Sequence, residues 1–413
     1  MLDDVFRSFA RPPGPGRELL DLIIGRGSST VLRDATDLCA EALASSANGL
    51  TEVLRRWSDP SGYSLWHPAI SDLKRRLKNG EREFPLRRLV EIGVMAQLGG
   101  IAGNWSFRFS NPTLLWIDKF LFAEVMSGNV ECNGTELHLD LSYAIGSRDS
   151  VTLRRSPAGR WTSLCAARNE IAVLPAVEID AAHCIFVVPG EIADEELLPQ
   201  YPGAAFKLVG DLEKFSSCLA ESIKLIATYA PEYVEWVAEV IRFVAPINAP
   251  SNVIGSSSSP KFTGLISISD DSRPISVAEF LVHEASHQYF FLASSLGEVD
   301  AAQEEELFYS RFARRRRPLE RILVAYHALG NMALFYERCM ARGFSCERRL
   351  AYVATHMREL NETLRKANTL TSLGRGLWEP LEAKTSHLNM VADERISDAV
   401  LAEADRAMVM QKR

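Results

Sequence analysis

His283-Glu284-Ala285-Ser286-His287 is the string in this chain whose residue types and spacing spell out a chemistry. Histidines four apart on a helix lie on one face a turn apart, where two imidazole nitrogens can grip one metal ion. The chain carries only eight histidines, so the string would arise by chance on the order of one time in a hundred. Phe280, Leu281, Val282, Tyr289, Phe290, Phe291 and Leu292 flank it and make the helix largely apolar. Two histidines and a glutamate on a buried helix need a reason, and a metal supplies one.

Two residues compete to be the third ligand. Glu306 follows His287 by nineteen positions, a spacing used by zinc peptidases of the gluzincin type. It belongs to the run Glu304-Glu305-Glu306, and such runs are more often solvated faces. His327 is the other candidate. It shares a helical face with Leu323, Val324, Asn331 and Leu334. A lone histidine there is by default a satisfied core residue; a neighbouring HExxH helix in need of a partner strengthens the ligand reading.

The elements that must position these residues are legible in part. Ser276 and Glu279 form a capping-box pair, with Ile275 and Phe280 at the staple positions, and Gly297 supplies a stop. Together they predict a helix over Val277–Leu296. Arg317-Pro318-Leu319 opens a second helix that continues to about Arg342, before Gly343. Upstream, helices are expected over Leu32–Trp57, Pro85–Leu98, Gly210–Tyr229 and Glu232–Val244. Thr135–Ser142, Val151–Arg155, His183–Val188 and Phe262–Ser269 read as strands, and Ser256–Pro260 as a flexible loop. The expectation is an α+β fold, mainly helical, with a small sheet in the middle and a helical C-terminal half that binds metal. Its regions would be a helical stretch over 1–125 (a possible peptide dock), a mixed stretch over 126–255 and the catalytic stretch over 256–413.

The sequence resembles the HExxH-domain proteins of ribosomal peptide natural-product clusters. The strings that carry the resemblance are Ser256–Pro260 with Gly264-Leu265-Ile266, then Glu279 through His287. Tyr309-Ser310, Arg317-Pro318-Leu319-Glu320 and Leu370-Thr371-Ser372-Leu373-Gly374-Arg375 follow, so the likeness covers about residues 250–380. It implies an iron(II)- and 2-oxoglutarate-dependent dioxygenase that hydroxylates a side-chain β-carbon in a precursor peptide. His283 and His287 would be iron ligands. Where relatives carry a histidine near the start of the helix after Arg-Pro, this chain has Val324, and His327 stands one turn on as the substitute. Three protein ligands would leave room for the keto-acid and O2. The distal carboxylate of 2-oxoglutarate calls for a cation, Arg317 first and Arg273 second. Glu284 would orient ligands or water. In the competing zinc metallopeptidase it is the general base, with Glu306 as third ligand. A third reading is a peptide-binding accessory protein with a closed structural metal site. An extended substrate could add as a strand beside Phe262–Ser269, and the basic stripe Arg314–Arg317 could hold acidic residues of a leader.

Composition removes other classes. The 413 residues carry 46 Lys and Arg against 53 Asp and Glu, a net charge of −7 that argues against general nucleic-acid binding. No apolar run approaches the roughly 18 residues of a membrane span. The start, MLDDVFRSFARPPGPG, lacks the apolar core of a secretory signal. Seven scattered cysteines without a CxxC pair read as reduced thiols of a cytoplasmic protein.

Overall fold

The computed structural model describes residues 2–57, 68–81, 84–117, 119–155, 161–163, 171–180, 183–193, 197–198, 205–206, 212–248, 255–270, 273–302, 306–310 and 315–390. The fold is α+β. The chain divides into two compact units, one of residues 1–17, 176–260 and 264–413, the other of 18–175 and 261–263. This division interleaves the three consecutive stretches expected from the sequence.

The smaller unit pairs helices with an antiparallel sheet. Its helices are α2 (Arg17–Ser46), α3 (Leu50–Arg56), α4 (Pro68–Lys78) and α5 (Leu86–Leu98). The expected helix over Leu32–Trp57 is two helices, because Gly49 takes a left-handed φ of 88° between them. Strands β1 (Gly103–Ile117), β2 (Phe120–Cys132), β3 (Glu136–Tyr143), β4 (Arg148–Arg155) and β5 (Trp161–Ser163) are neighbours in sequence order, and β6 (Ile171–Val173) pairs with β2. The long β1–β2 hairpin therefore replaces helix in the last part of the stretch read as helical over 1–125. β3 alternates buried and exposed positions along its length, the signature of a sheet with one face on a core.

The larger unit holds the HExxH string. Its sheet comprises β7 (Ala176–Glu178), β8 (Cys184–Val187), β9 (Ala205–Phe206), β10 (Phe243–Asn248), β11 (Ser256–Ser258) and β12 (Leu265–Ser269). The order is β11-β12-β10-β8-β7, with β9 also on β10. β10 runs parallel to both β12 and β8, whereas β11 is antiparallel to β12. β12 is buried along its whole length, as strands covered on both faces are. Its two serines are satisfied: Ser267 Oγ donates to the Leu197 carbonyl and Ser269 Oγ to the Gly255 carbonyl. Two expectations are corrected here. The serine run read as a loop begins with a strand, and β12 cannot accept a substrate strand because β10 and β11 occupy both its edges.

Helices complete this unit: α1 (Leu2–Ser8), α6 (Leu212–Tyr229), α7 (Glu232–Val240), α8 (Pro274–Ser294), α9 (Leu319–Ala341), α10 (Glu347–Lys366) and α11 (Ser372–Thr385). α7 stops four residues short of the expected Val244, which belongs to buried β10. A two-stranded hairpin, β13 (Phe308–Ser310) with β14 (Arg315–Arg317), links α8 to α9. No helix among the described residues is long and apolar enough to cross a membrane.

Candidate functional site

α8 carries the HExxH string through 21 residues, 13 of them buried. It starts earlier than the capping-box reading places it. Arg273 is the N-cap and Pro274 opens the helix, since proline's fixed φ suits the first turn and its missing N–H is not needed there. Ser276 and Glu279 thus lie inside the helix and serve another purpose. Arg349 of α10 donates to Ser276 Oγ at 3.0 Å and to Glu279 Oε2, which also accepts from the Tyr336 hydroxyl of α9.

That network sets the register of α8 against α9. Glu279 meets Tyr336, and one turn on, His283 Nδ1 lies 3.1 Å from Met332 Sδ. The helices are therefore antiparallel. A thioether only accepts, so the His283–Met332 contact places the ring proton on Nδ1 and leaves Nε2 the acceptor toward His287 Nε2. His283 Nε2 and His287 Nε2 point at each other 3.0 Å apart, with the rings nearly perpendicular at 86°. The His283 side chain remains 29% exposed, so the pair is open to a reactant.

The electrostatics keep His287 uncharged. Burial, reinforced by His283, His327 and Arg321, drives the His287 imidazole well below its ordinary pKa. A neutral imidazole offers a lone pair. Two imidazole nitrogens 3.0 Å apart have the separation of adjacent ligands each about 2.1 Å from one ion. The donor set suits iron or zinc.

Glu284 is 1% exposed. Ser256 of β11 donates to its Oε1 at 2.6 Å, and that oxygen stands 3.9 Å from His283 Nε2. Its Oε2 is buried without a partner among the described residues. On the same face one turn on, Gln288 accepts from the Gly264 amide through Oε1, while its Nε2 is likewise unpartnered.

Of the other residues singled out from the sequence, His327 lies near enough to bear on His287 electrostatically and packs against Phe290 of the same helix. His327 is wholly buried and its Nε2 bonds the Phe9 carbonyl at 3.0 Å; Asn331, one turn on, donates to the Ala10 carbonyl at 2.9 Å. The α9 face that holds His327 thus packs on the N-terminal segment as well as on Phe290 of α8, and Met332 lies against His283. Burial pushes His327 down to about 4. Glu306 is exposed before β13. Arg273 is exposed at the start of α8. Arg317 is half-buried at the end of β14, its pKa lowered by burial and by Arg315 and Arg321. Among the described residues no three His, Cys, Asp or Glu side chains gather as a metal cage. The structure brings together His283, His287 and Glu284. Sequence reasoning missed Met332, Ser256 and the Glu279–Tyr336–Arg349 network. Only the four-residue spacing of Glu279 from His283 hinted at the last of these.

No protein-family model matches the chain, and no curated protein matches it.

Proposed function

We propose that the protein is an iron(II)- and 2-oxoglutarate-dependent dioxygenase that hydroxylates a side-chain β-carbon of a ribosomally made precursor peptide. The observation that supports this reading is the convergence of two imidazole nitrogens, His283 Nε2 and His287 Nε2, at 3.0 Å, with the His283 side chain 29% exposed. When bound, iron with 2-oxoglutarate and O2 supplies the oxidation of the C–H bond. The chain's own residues hold and orient. His283 and His287 are the ligands, and Met332 fixes the His283 tautomer. Glu284, tied to Ser256, is a buried carboxyl group beside the ligands and needs to take no proton in this chemistry. Arg317 of β14 remains the first cation proposed for the distal carboxylate of 2-oxoglutarate, and Arg321 in the first turn of α9, close enough to act on it, replaces the exposed Arg273 as the second.

A zinc peptidase is the second reading, favoured by the 3.9 Å between Glu284 Oε1 and His283 Nε2. There Glu284 would be the general base on a zinc-bound water, through the Oε2 that Ser256 leaves unpartnered. The exposure of Glu306 weakens its case as third ligand.

Anaerobic titration of metal-free protein with Fe(II) and then 2-oxoglutarate separates the two. A weak visible charge-transfer band that needs both additions is expected. Tight zinc binding with no such band would discard the dioxygenase in favour of the peptidase.

A further inference from the structure

β11 is the open edge of the larger unit's sheet: among the described residues it pairs with β12 and with no other strand. The ladder fixes which main-chain groups are free. Ser269 N donates to Gly255 O at 2.9 Å, so the Gly255–Ser269 rung is hydrogen-bonded. In an antiparallel pair such rungs alternate, so the next is Ser257–Ser267. The N–H and C=O groups of Ser256 and Ser258 therefore point outward, away from β12.

The same two residues turn their side chains to α8. Ser256 donates to Glu284 Oε1, and Ser258, two positions on, stands on the same face of the strand. The outward main-chain groups of this edge thus belong to Ser256, which reaches the helix of the histidine pair, and to Ser258 on the same strand face. Behind them, Ser258 Oγ, Glu284 Oε2 and Gln288 Nε2 are buried polar atoms without partners among the described residues. Serine side chains also leave an incoming strand sterically unopposed.

We propose that the outer edge of β11 binds the main chain of an extended peptide as an added strand, through the outward N–H and C=O groups of Ser256 and Ser258. The hydroxyl of Ser256 holds this docking edge in register with Glu284 and, through it, with His283. Recognition is by main chain, so sequence preference at these positions is weak and the substrate segment must be extended when bound. The proposal rests on the peptide-modifying reading for its occupant and on no metal for its geometry.

The test uses full-length, metal-free protein and a fluorescein-labelled dodecapeptide, the tightest binder selected from a random display library, read by anisotropy. Ser258→Pro removes one outward N–H and takes no N–H from the β12 ladder, a substitution that sheet edges tolerate. It is expected to weaken peptide binding about tenfold with nickel(II) binding unchanged, whereas Ser257→Ala leaves peptide affinity alone. N-methylation at alternate peptide positions should weaken binding to wild-type protein similarly, independently of any folding defect in the variant. Peptide affinity indifferent to both changes, failure to select any binder, or a Ser258→Pro effect confined to self-association of the protein would overturn the proposal. Main-chain-dependent binding without a charge-transfer band would leave the edge assigned and the dioxygenase refuted.

Discussion

Two imidazoles four residues apart on a largely buried helix need a device that points them at one ion. Burial keeps His287 neutral, and the contact with Met332 orients His283. At the residue scale the consequence is a division of labour among histidines that share one neighbourhood. His283→Ala and His287→Ala should each abolish stoichiometric nickel(II) or iron(II) binding in isothermal titration, with the fold kept by circular dichroism. His327→Ala should do the opposite. It removes a wholly buried ring and leaves the Phe9 carbonyl without its partner, at a cost of about 2–4 kcal/mol in urea unfolding. Metal affinity should move less than threefold. A hundredfold loss of metal affinity in His327→Ala would place it among the ligands after all. Glu284→Gln keeps a hydrogen-bonding acceptor for Ser256 and should retain measurable peptide hydroxylation, whereas a peptidase would lose its base and all turnover.

At the element scale, the pairing of α8 with α9 and α10 holds the site in register. Glu279 accepts from both Tyr336 and Arg349, and Arg349 also reaches Ser276. Replacing Arg349 with Met leaves a mostly buried carboxylate without its countercharge and should lower stability by about 3 kcal/mol. The α8–α9 register should loosen with it, seen as faster amide exchange around His283. Unchanged exchange there would detach the network from the site. Gly374 is a second such point. A Cβ on it would meet the Val299 carbonyl, next to the backbone bonds Thr371 N to Val299 O and Ala301 N to Thr369 O. Gly374→Ala should therefore cost about 1–3 kcal/mol in thermal unfolding. The sequence made the HExxH helix, the α9 helix and the β3, β4, β8 and β12 strands readable, because each carries its own period or a terminator such as Pro318. Partners that arrive from distant elements were not readable. Ser256 looked like loop because a serine run has no strand period, and its pairing is set by β12. The α9 face of His327 was visible as a face, but nothing local says that Phe9 and Ala10 cover it. The capping box failed for a nearer reason: Pro274 two residues upstream already starts the helix.

At the scale of the whole molecule, the same burial that holds imidazoles neutral makes the fold sensitive to acid. His327 and His356 are 0% and 4% exposed, and burial pushes each down to about 4 in the native state. In the unfolded chain a histidine titrates near 6.5, at about pH 6.5. Above that value neither state binds the proton and the full stability is present. Between about 6.5 and 4 the unfolded chain takes up protons that the native chain refuses, so stability falls as pH falls. Below about 4 both states are protonated and the loss levels off. Each histidine accounts for about 3 kcal/mol across that window, a large share of a typical net stability of about 5–15 kcal/mol. Urea midpoints measured with a chelator present, so that metal does not bias His283 and His287, should therefore drop steeply between pH 6.5 and 4.5. His356→Gln, which cannot titrate, should flatten that slope even if it lowers stability at neutral pH. Equal slopes for the variant and the wild type would show that His356 takes up its proton without unfolding, through a local opening of α10.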